Sequence, residues 1–409
     1  MNSLRNIVFL VILFPLGSRG FSQDTISLDS AQTSSILMKA AADSGFIKTD
    51  FDTNRLVILF VGDIMGHDTQ IEGAFNQQTG NYNYEPVFRY MKNYFLDADI
   101  VVGNLEVTLA GPPFKGYPQF SSPDELALEA RSAGFDMLVT ANNHALDRGE
   151  QGFKRTLFML DSLGFLRAGT YNDSLERDSI YPVILEKNGI RLALLNYTYG
   201  TNGLKIPPPF IINRIDTALM STDLAKAKLA EPDYTLVFMH WGKEYERTEN
   251  DEQRMLANHI IRNGADAIIG SHPHVVQPIR EIKIATDSLK SYPVVYSLGN
   301  FVSNQRAQYK DGGIVAELHI SNCGDSTWLD SLFYLPYWVW RQDRNDGKST
   351  FYVVPVALYE QDPVQFDLNA SDKYRLERFA ADIRHHLKDA KESNYYKKEK
   401  RSYANTTSD

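Results

Sequence analysis

Asp63, Asn104, Glu106, Asn143, His144, His240, His272 and His274 each stand just after a short apolar run. Carboxylates, amide oxygens and imidazoles are the donors that divalent cations take from a protein. Two such cations about 4 Å apart need at least one bridging oxygen, and the pair can acidify a water and clamp a phosphoryl or carbonyl oxygen. His272 and His274 flank Pro273. Proline lacks an N–H and stiffens the turn, so an extended backbone there would aim both imidazoles at one cluster. A single acid after a strand is usually a cap or a turn former. What points to metal chemistry is the conjunction of these residue types after several different runs. His67, four residues after Asp63, is either a further ligand or a rim group. His259 lies in a helical pattern and takes no role.

These side chains need elements that deliver them to one edge. The run 56–61 is continuously apolar and ends at Gly62-Asp63, as a strand buried on both faces would. Runs at 100–102, 137–140, 192–196, 236–239 and 267–269 repeat the pattern. Helical periodicities at 86–96, 123–133, 152–163, 222–230 and 252–263 separate several of them. Strand and helix in alternation argue for α/β layers, and in such sheets ligands gather at the carboxyl ends of the strands. Beyond Ser271 the texture is strands and turns: 276–284, 293–298, 314–320, 328–339 and 352–359. A helix is predicted at 371–387. The polar tail from 388 holds a basic cluster of Lys397, Lys398, Lys400 and Arg401, which fits a solvated end.

The bulk numbers narrow the partners. The chain has 409 residues, 43% hydrophobic, with a formal net charge of -9. It carries no electrostatic footprint for nucleic acid or an anionic lipid surface. A polyanionic substrate would need positive charge supplied locally, and bound cations would do that. Cys323 is the one cysteine, so an internal disulfide and a cysteine metal cluster are both excluded. Arg5, the apolar run 7–14 and the small residues Gly17, Ser18, Gly20 and Ser22 predict a signal peptide over 1–22, with an uncleaved anchor as the alternative. Residues 23–54 form a polar leader with a short helix at 27–42, and 55–387 form the main domain.

At these residues the sequence resembles the CapA family, also described as the PGA_cap or PgsA-type capsule and poly-γ-glutamate proteins. The stretches that carry the resemblance are Leu59-Phe60-Val61-Gly62-Asp63-Ile64-Met65, Gly103-Asn104-Leu105-Glu106 and Ala141-Asn142-Asn143-His144-Ala145-Leu146-Asp147. His240-Trp241-Gly242, Gly270-Ser271-His272-Pro273-His274 and Ser297-Leu298-Gly299-Asn300-Phe301 follow in family order. The resemblance implies a distant branch of the calcineurin-like metallophosphoesterases. Their fold is a four-layer α-β-β-α sandwich of mixed sheets with metals at the strand ends. Carried over position by position, Asp63, Glu106, Asn143, His240, His272 and His274 would hold the metals, Glu106 or Asn104 in the bridging place. His144 would protonate the leaving group.

Two positions depart from the phosphoesterase pattern. Met65 stands where a histidine is expected, and thioether sulfur is a poor ligand for manganese or magnesium. Asn104 stands where a second aspartate is expected. One metal position would then be weak, refilled by His67, or empty. Trp241-Gly242 would wall the pocket, Glu244 would orient a ligand histidine, and Asn300 would bond a loop backbone near the site. The segment 196–203 with Tyr199 reads as a rim loop.

Two functions follow. One is an exported, metal-dependent hydrolase or transferase with one or two divalent ions (manganese, iron, zinc or magnesium), acting on a phosphate-containing or polyglutamate-type polymer. The other is a non-catalytic assembly factor that holds the anionic polymer for capsule-assembly membrane proteins.

Overall fold

A computed structural model describes residues 53–284, 287–324 and 326–397. The expected signal peptide, the leader helix at 27–42, and Lys398, Lys400 and Arg401 lie outside the described residues. Along the chain the strands are β1 (Asn54–Ile64), β2 (Ile100–Leu105), β3 (Met137–Val139), β4 (Leu166–Ala168), β5 (Thr170–Tyr171), β6 (Val183–Lys187), β7 (Ile190–Thr198), β8 (Ile211–Ile212) and β9 (Tyr234–His240). They continue as β10 (Ala267–Ser271), β11 (Ile279–Ile284), β12 (Asp287–Val295), β13 (Asn300–Val302), β14 (Gly312–Cys323), β15 (Ser326–Asp343), β16 (Ser349–Pro355) and β17 (Lys391–Glu392). The helices are α1 (Asp68–Ala74), α2 (Glu85–Phe88), α3 (Lys92–Leu96), α4 (Glu125–Ser132), α5 (Gly149–Ser162), α6 (Ser174–Ile180), α7 (Thr217–Leu229), α8 (Asp251–Arg262), α9 (Val356–Gln361) and α10 (Ala370–His386).

Two mixed sheets organise the fold. The first runs β16-β15-β14-β1-β2-β3-β4, with β13 beside β1 and β17 beside β15. The second runs β11-β12-β10-β9-β7-β6. Parallel pairing joins β1, β2, β3 and β4 in one sheet and β7, β9, β10 and β12 in the other. Strands covered on both faces cannot alternate apolar with polar, which is why their sequences read as continuous runs. In β1 the two faces are still distinct. Leu56, Ile58 and Phe60 enter the apolar cluster shared with the second sheet, while Leu59 and Val61 enter a cluster with α2, α3 and α4. On the other side, Met220 and Leu224 of α7 and Leu256 and Ile260 of α8 join the larger cluster. The layering is helix, sheet, sheet, helix, as expected. Among the described residues no helix is long and apolar enough to cross a membrane.

Local chemistry revised some boundaries. The helix expected over 86–96 is two short ones, α2 and α3. The strand expected over 352–359 stops at Pro355, whose missing N–H ends the ladder and whose φ of -58 starts α9. In the expected polar tail, Lys391 and Glu392 pair with Phe333 and Tyr334, and Tyr396 is buried. Cys323 ends β14 at a hairpin, half-buried.

The edge that holds Asp63 depends on a close backbone approach. A Cβ on Gly62 would lie 1.8 Å from the Gly299 carbonyl oxygen, and Asp63 N–H donates to that same oxygen at 3.1 Å. Gly62→Ala should therefore destabilise the fold by about 1–3 kcal/mol or more, read as a lowered thermal midpoint. An unchanged midpoint would show that this contact is slack.

Candidate metal centre

The carboxyl ends of β1, β2, β3, β9 and β10 converge. Asp63, Glu106 and His240 are completely buried, and Asn143, His272 and His274 nearly so. Two groups of potential ligand atoms form, each with all its atoms within 4.8 Å of one another: Glu106, His240 and His272, and Asp63, Glu106 and His274. Glu106 belongs to both, which is the position of a bridging carboxylate. Its Oε1 lies 3.5 Å from His240 Nε2 and its Oε2 lies 4.0 Å from His274 Nδ1. Asn143 Oδ1 meets His240 Nε2 at 2.7 Å, adding an amide oxygen to the first group.

Both oxygens of Glu106 are buried and neither accepts a hydrogen bond, and His272 Nδ1 is buried without a partner too. A buried carboxylate normally accepts several hydrogen bonds, because leaving it bare costs more than a kcal/mol or so per group. Here the nearby polar atoms are other acceptors and imidazole nitrogens. Burial, and then the Asp63 carboxylate beside it, push the Glu106 carboxyl well above its usual range. Burial also holds the His240 ring well below its ordinary value, with His272 and His274 adding to the effect. His272 falls to about 3, burial again the leading cause. Neutral imidazoles are the state in which histidine ligates metal, and a bound cation would take Glu106 as the carboxylate that its surroundings otherwise disfavour. The residues present therefore fit one or two divalent cations. Asp63, Glu106, Asn143, His240, His272 and His274 would hold them.

Neighbouring residues fix the aim of these groups. Asn104 Nδ2 donates to Asp63 Oδ1 at 2.8 Å and lies 3.2 Å from His240 Nδ1, so its amide nitrogen faces the cluster and Asn104 acts as a brace. Ser271 Oγ bonds His240 Nδ1 at 3.0 Å, fixing that ring and leaving Nε2 toward Glu106. His272 and His274 hold positive φ angles of 95 and 59. Non-glycine residues adopt that region at a cost and keep it where surrounding contacts demand it. The His272 N–H points to Asp63 Oδ2 at 3.4 Å, and His274 Nδ1 lies 3.2 Å from the same oxygen and 3.0 Å from Asn300 Oδ1.

His144 follows Asn143, whose Oδ1 meets His240, and packs its ring edge-on against Phe120 with centroids 4.7 Å apart. Its Nδ1 is 2.7 Å from Asp147 Oδ2, and that carboxylate is itself held by the Phe120 N–H at 2.8 Å. Asn142 accepts the His144 N–H and donates to the Leu105 carbonyl, locking the turn. A cleft of about 260 Å³ lined by Gln119, Leu204 and Lys205, among others, reaches Asp147.

Met65 agrees with its expected failure as a ligand, while three expectations need revision: His67 as a ligand, Glu244 as the orienting group and Trp241 as the wall. Met65 packs in the apolar cluster with Val61 and Ile64 and offers nothing to the site. Register shifts in β1 around Asp63 break the strand alternation there, which explains why Met65 does not follow Asp63 inward. His67 stands before α1 with its Nδ1 on Gln70 Oε1 at 3.1 Å and its ring against Phe120, and it joins neither ligand group. Glu244 is exposed, and the hydroxyl of Ser271 does the orienting expected of it. Trp241 turns into the core, donating to the Tyr296 carbonyl, so the wall over the site is Tyr199, 4.5 Å from the His272 ring. Asn300 does bond loop backbone, at the carbonyls of His274 and Lys310. Sequence reasoning gave no role to Asn142, Asp147 or Ser271. The signal for Asp147 was its place three residues after His144, one helical turn away.

Comparison with known proteins agrees with the motifs. Residues 57–305 match the family model described as "Bacterial capsule synthesis protein PGA_cap". The "PGA biosynthesis protein CapA" of Bacillus subtilis is 31% identical over 335 residues, covering 79% of this chain and 76% of that protein. The "Capsule biosynthesis protein CapA" of Bacillus anthracis is 29% identical over 341 residues, covering 80% and 73%. Among solved structures, the calcineurin-like phosphoesterase YfkN of Bacillus subtilis aligns with a TM-score of 0.42 at 13% identity, over 81% of this chain and 98% of that one.

Glu106→Gln separates the metal-free and metal-loaded states. A carboxyl whose folded pKa is raised above 4.5 contributes stability while protonated and loses it as pH rises through the folded value. In chelator the variant should therefore match or exceed the wild-type melting temperature, with an advantage that grows with pH toward roughly 1–3 kcal/mol. With manganese added, the wild type should gain stability and the variant should not. A variant that melts below wild type in chelator at every pH would show that Glu106 is not strained.

Proposed function

The chain belongs to the PGA_cap family of bacterial capsule synthesis proteins, and from that membership and the geometry of the cluster we propose that it is an exported, metal-dependent hydrolase of phosphoesterase type. Its substrate is an anionic surface polymer or a phosphate-containing precursor. The observation that carries this reading is the bare, fully buried Glu106 carboxylate shared by two ligand groups. A disused site would have no physical need to keep such a group out of water.

One or two divalent cations, when bound, would supply Lewis acidity and a water of lowered pKa. The chain does the rest. Asp63 and Glu106 are the two carboxylates of the ligand groups, and the histidines and Asn143 would join them as neutral ligands. Two divalent ions would thus leave the centre net positive and selective for an anionic group. Asn104, Ser271 and Asn300 hold the donors in place. His144, oriented through Nδ1 by Asp147, delivers a proton to the departing oxygen from its other nitrogen.

A second reading has its own observation. Met65 is committed to the core and His67 to its contacts before α1, so neither adds to the three donors of the Asp63 group, whereas Asn143 adds an amide oxygen to its neighbour. A centre loaded on one side only would grip an anionic polymer for membrane-embedded assembly partners without cleaving it.

Metal analysis of purified protein, followed by assay on a chromogenic phosphodiester with manganese, separates the two. The hydrolase reading expects at least one bound ion and turnover. It also expects His144→Asn to keep the metal while kcat falls by roughly 100-fold or more. Bound metal, polymer binding and no turnover would leave the assembly reading. A metal-free protein that takes up no manganese would sink both.

A further inference from the structure

Two loops meet on the His274 side of the cluster, and cations stacked on rings join them. The loop after β9 carries Tyr245 and Arg247, and the loop after β13 carries Tyr309 and Lys310. Lys310 Nζ lies 3.8 Å from the centroid of the Tyr245 ring, and Arg247 Cζ lies 3.9 Å from that of Tyr309. Each loop gives one ring and one cation, and such contacts hold best when the cation has lost part of its water. Tyr245 and Tyr309 both hold left-handed backbone, with φ of 68 and 73. Non-glycine residues pay for that conformation, so the clasp is a fixed arrangement.

The two pairs differ in what they face. Arg247 is the inner one, with Nε and Nη2 buried. Lys310 is the outer one. Tyr245 beneath it is 47% exposed, and among the described residues no ion pair engages Lys310. A lysine on the surface of an acidic protein usually extends into water or finds a carboxylate. This one is tied to the cluster by two routes. The Tyr245 ring lies 6.0 Å from the His274 ring, and the Tyr245 N–H donates to the Pro273 carbonyl at 2.8 Å. Asn300 donates to the Lys310 carbonyl at 2.9 Å while its Oδ1 meets His274 Nδ1 at 3.0 Å.

We infer that Lys310, held on the Tyr245 ring, is an anion-recognition residue on the His274 side of the cluster, taking a carboxylate or phosphate oxygen of the substrate chain beside the group that reacts. The inference rests on the proposed metal centre for where the reacting group lies. The attraction of the anion belongs to Lys310 itself. A polymer with a negative charge on every unit would present one charge to the centre and the next to Lys310, which gives selectivity for a chain over a single monomer. Lys310→Met keeps the length and apolar bulk of the side chain and removes the charge. Lys310→Arg keeps the charge and stacks on the ring at least as well.

The test uses the full chain, once manganese-loaded and once in chelator, titrated calorimetrically with a poly-γ-glutamate oligomer and separately with tripolyphosphate. Lys310→Met should weaken binding of at least one probe by about tenfold, with metal content and melting temperature unchanged, while Lys310→Arg stays near wild type. The probe that loses affinity identifies the anion. If the wild type takes up no metal yet Lys310→Met still weakens binding in chelator, the metal centre is refuted and Lys310 retains its role. Equal affinities in all three proteins would overturn the inference. So would an arginine variant as impaired as the methionine one, or a wild type that binds neither probe.

Discussion

A carboxylate with no hydrogen-bond donor, sealed between two sheets, governs this molecule. Glu106 lies at the meeting point of histidines from β9 and the turn after β10 and an aspartate from β1. Protein groups do not neutralise it, since Asp63 repels it and burial holds the His240 and His272 rings neutral. In water-free surroundings such a group is either a carboxylate opposite a cation or the neutral protonated acid. Membership of a capsule-synthesis family says in what biology the chain takes part. Glu106 says what kind of chemistry the fold is prepared for.

The rest of the architecture serves that arrangement. Parallel strands from both sheets end at one edge, so donors far apart in sequence arrive together. Close backbone contact between Gly62 and Gly299 brings β13 beside β1, placing Asn300 opposite Asp63. Left-handed backbone at His272 and His274 turns both rings inward around Pro273, and hydrogen bonds to Asp63 and Asn300 hold them there. Around the centre, Asn104 and Ser271 fix ring orientation, and Asp147 fixes His144. The strain resides in the turns at the strand ends.

Much of this was legible in the sequence because strands buried on both faces leave a plain trace: an apolar run stopped by a polar residue. That trace located Asp63, Asn143, His240 and His272 at strand ends, and the spacing of His272 and His274 showed that they belong to one turn. Other features depended on geometry that residue type does not encode. Asn104 and Glu106 are two apart, and strand periodicity alone does not say which one binds and which one braces. Met65 is likewise two residues after Asp63, and only the register shifts in β1 explain its place in the core. Trp241 follows His240 yet packs inward, because its indole N–H finds the Tyr296 carbonyl. Ser271 and Asn142 are common turn residues, and their partners come from distant strands. Pro355, by contrast, carries the end of β16 in its own covalent structure, a signal that the expected strand 352–359 passed over.

The central claim is that Glu106 bridges cations. Anomalous scattering from a crystal grown without chelator and soaked in manganese, recorded at the manganese edge, tests it most directly. Strong peaks are expected on one or both sides of the Glu106 carboxylate, within bonding distance of His240 and His272 or of Asp63 and His274. A cleft without anomalous signal, with Glu106 protonated and hydrogen-bonded to a neighbour, would contradict it.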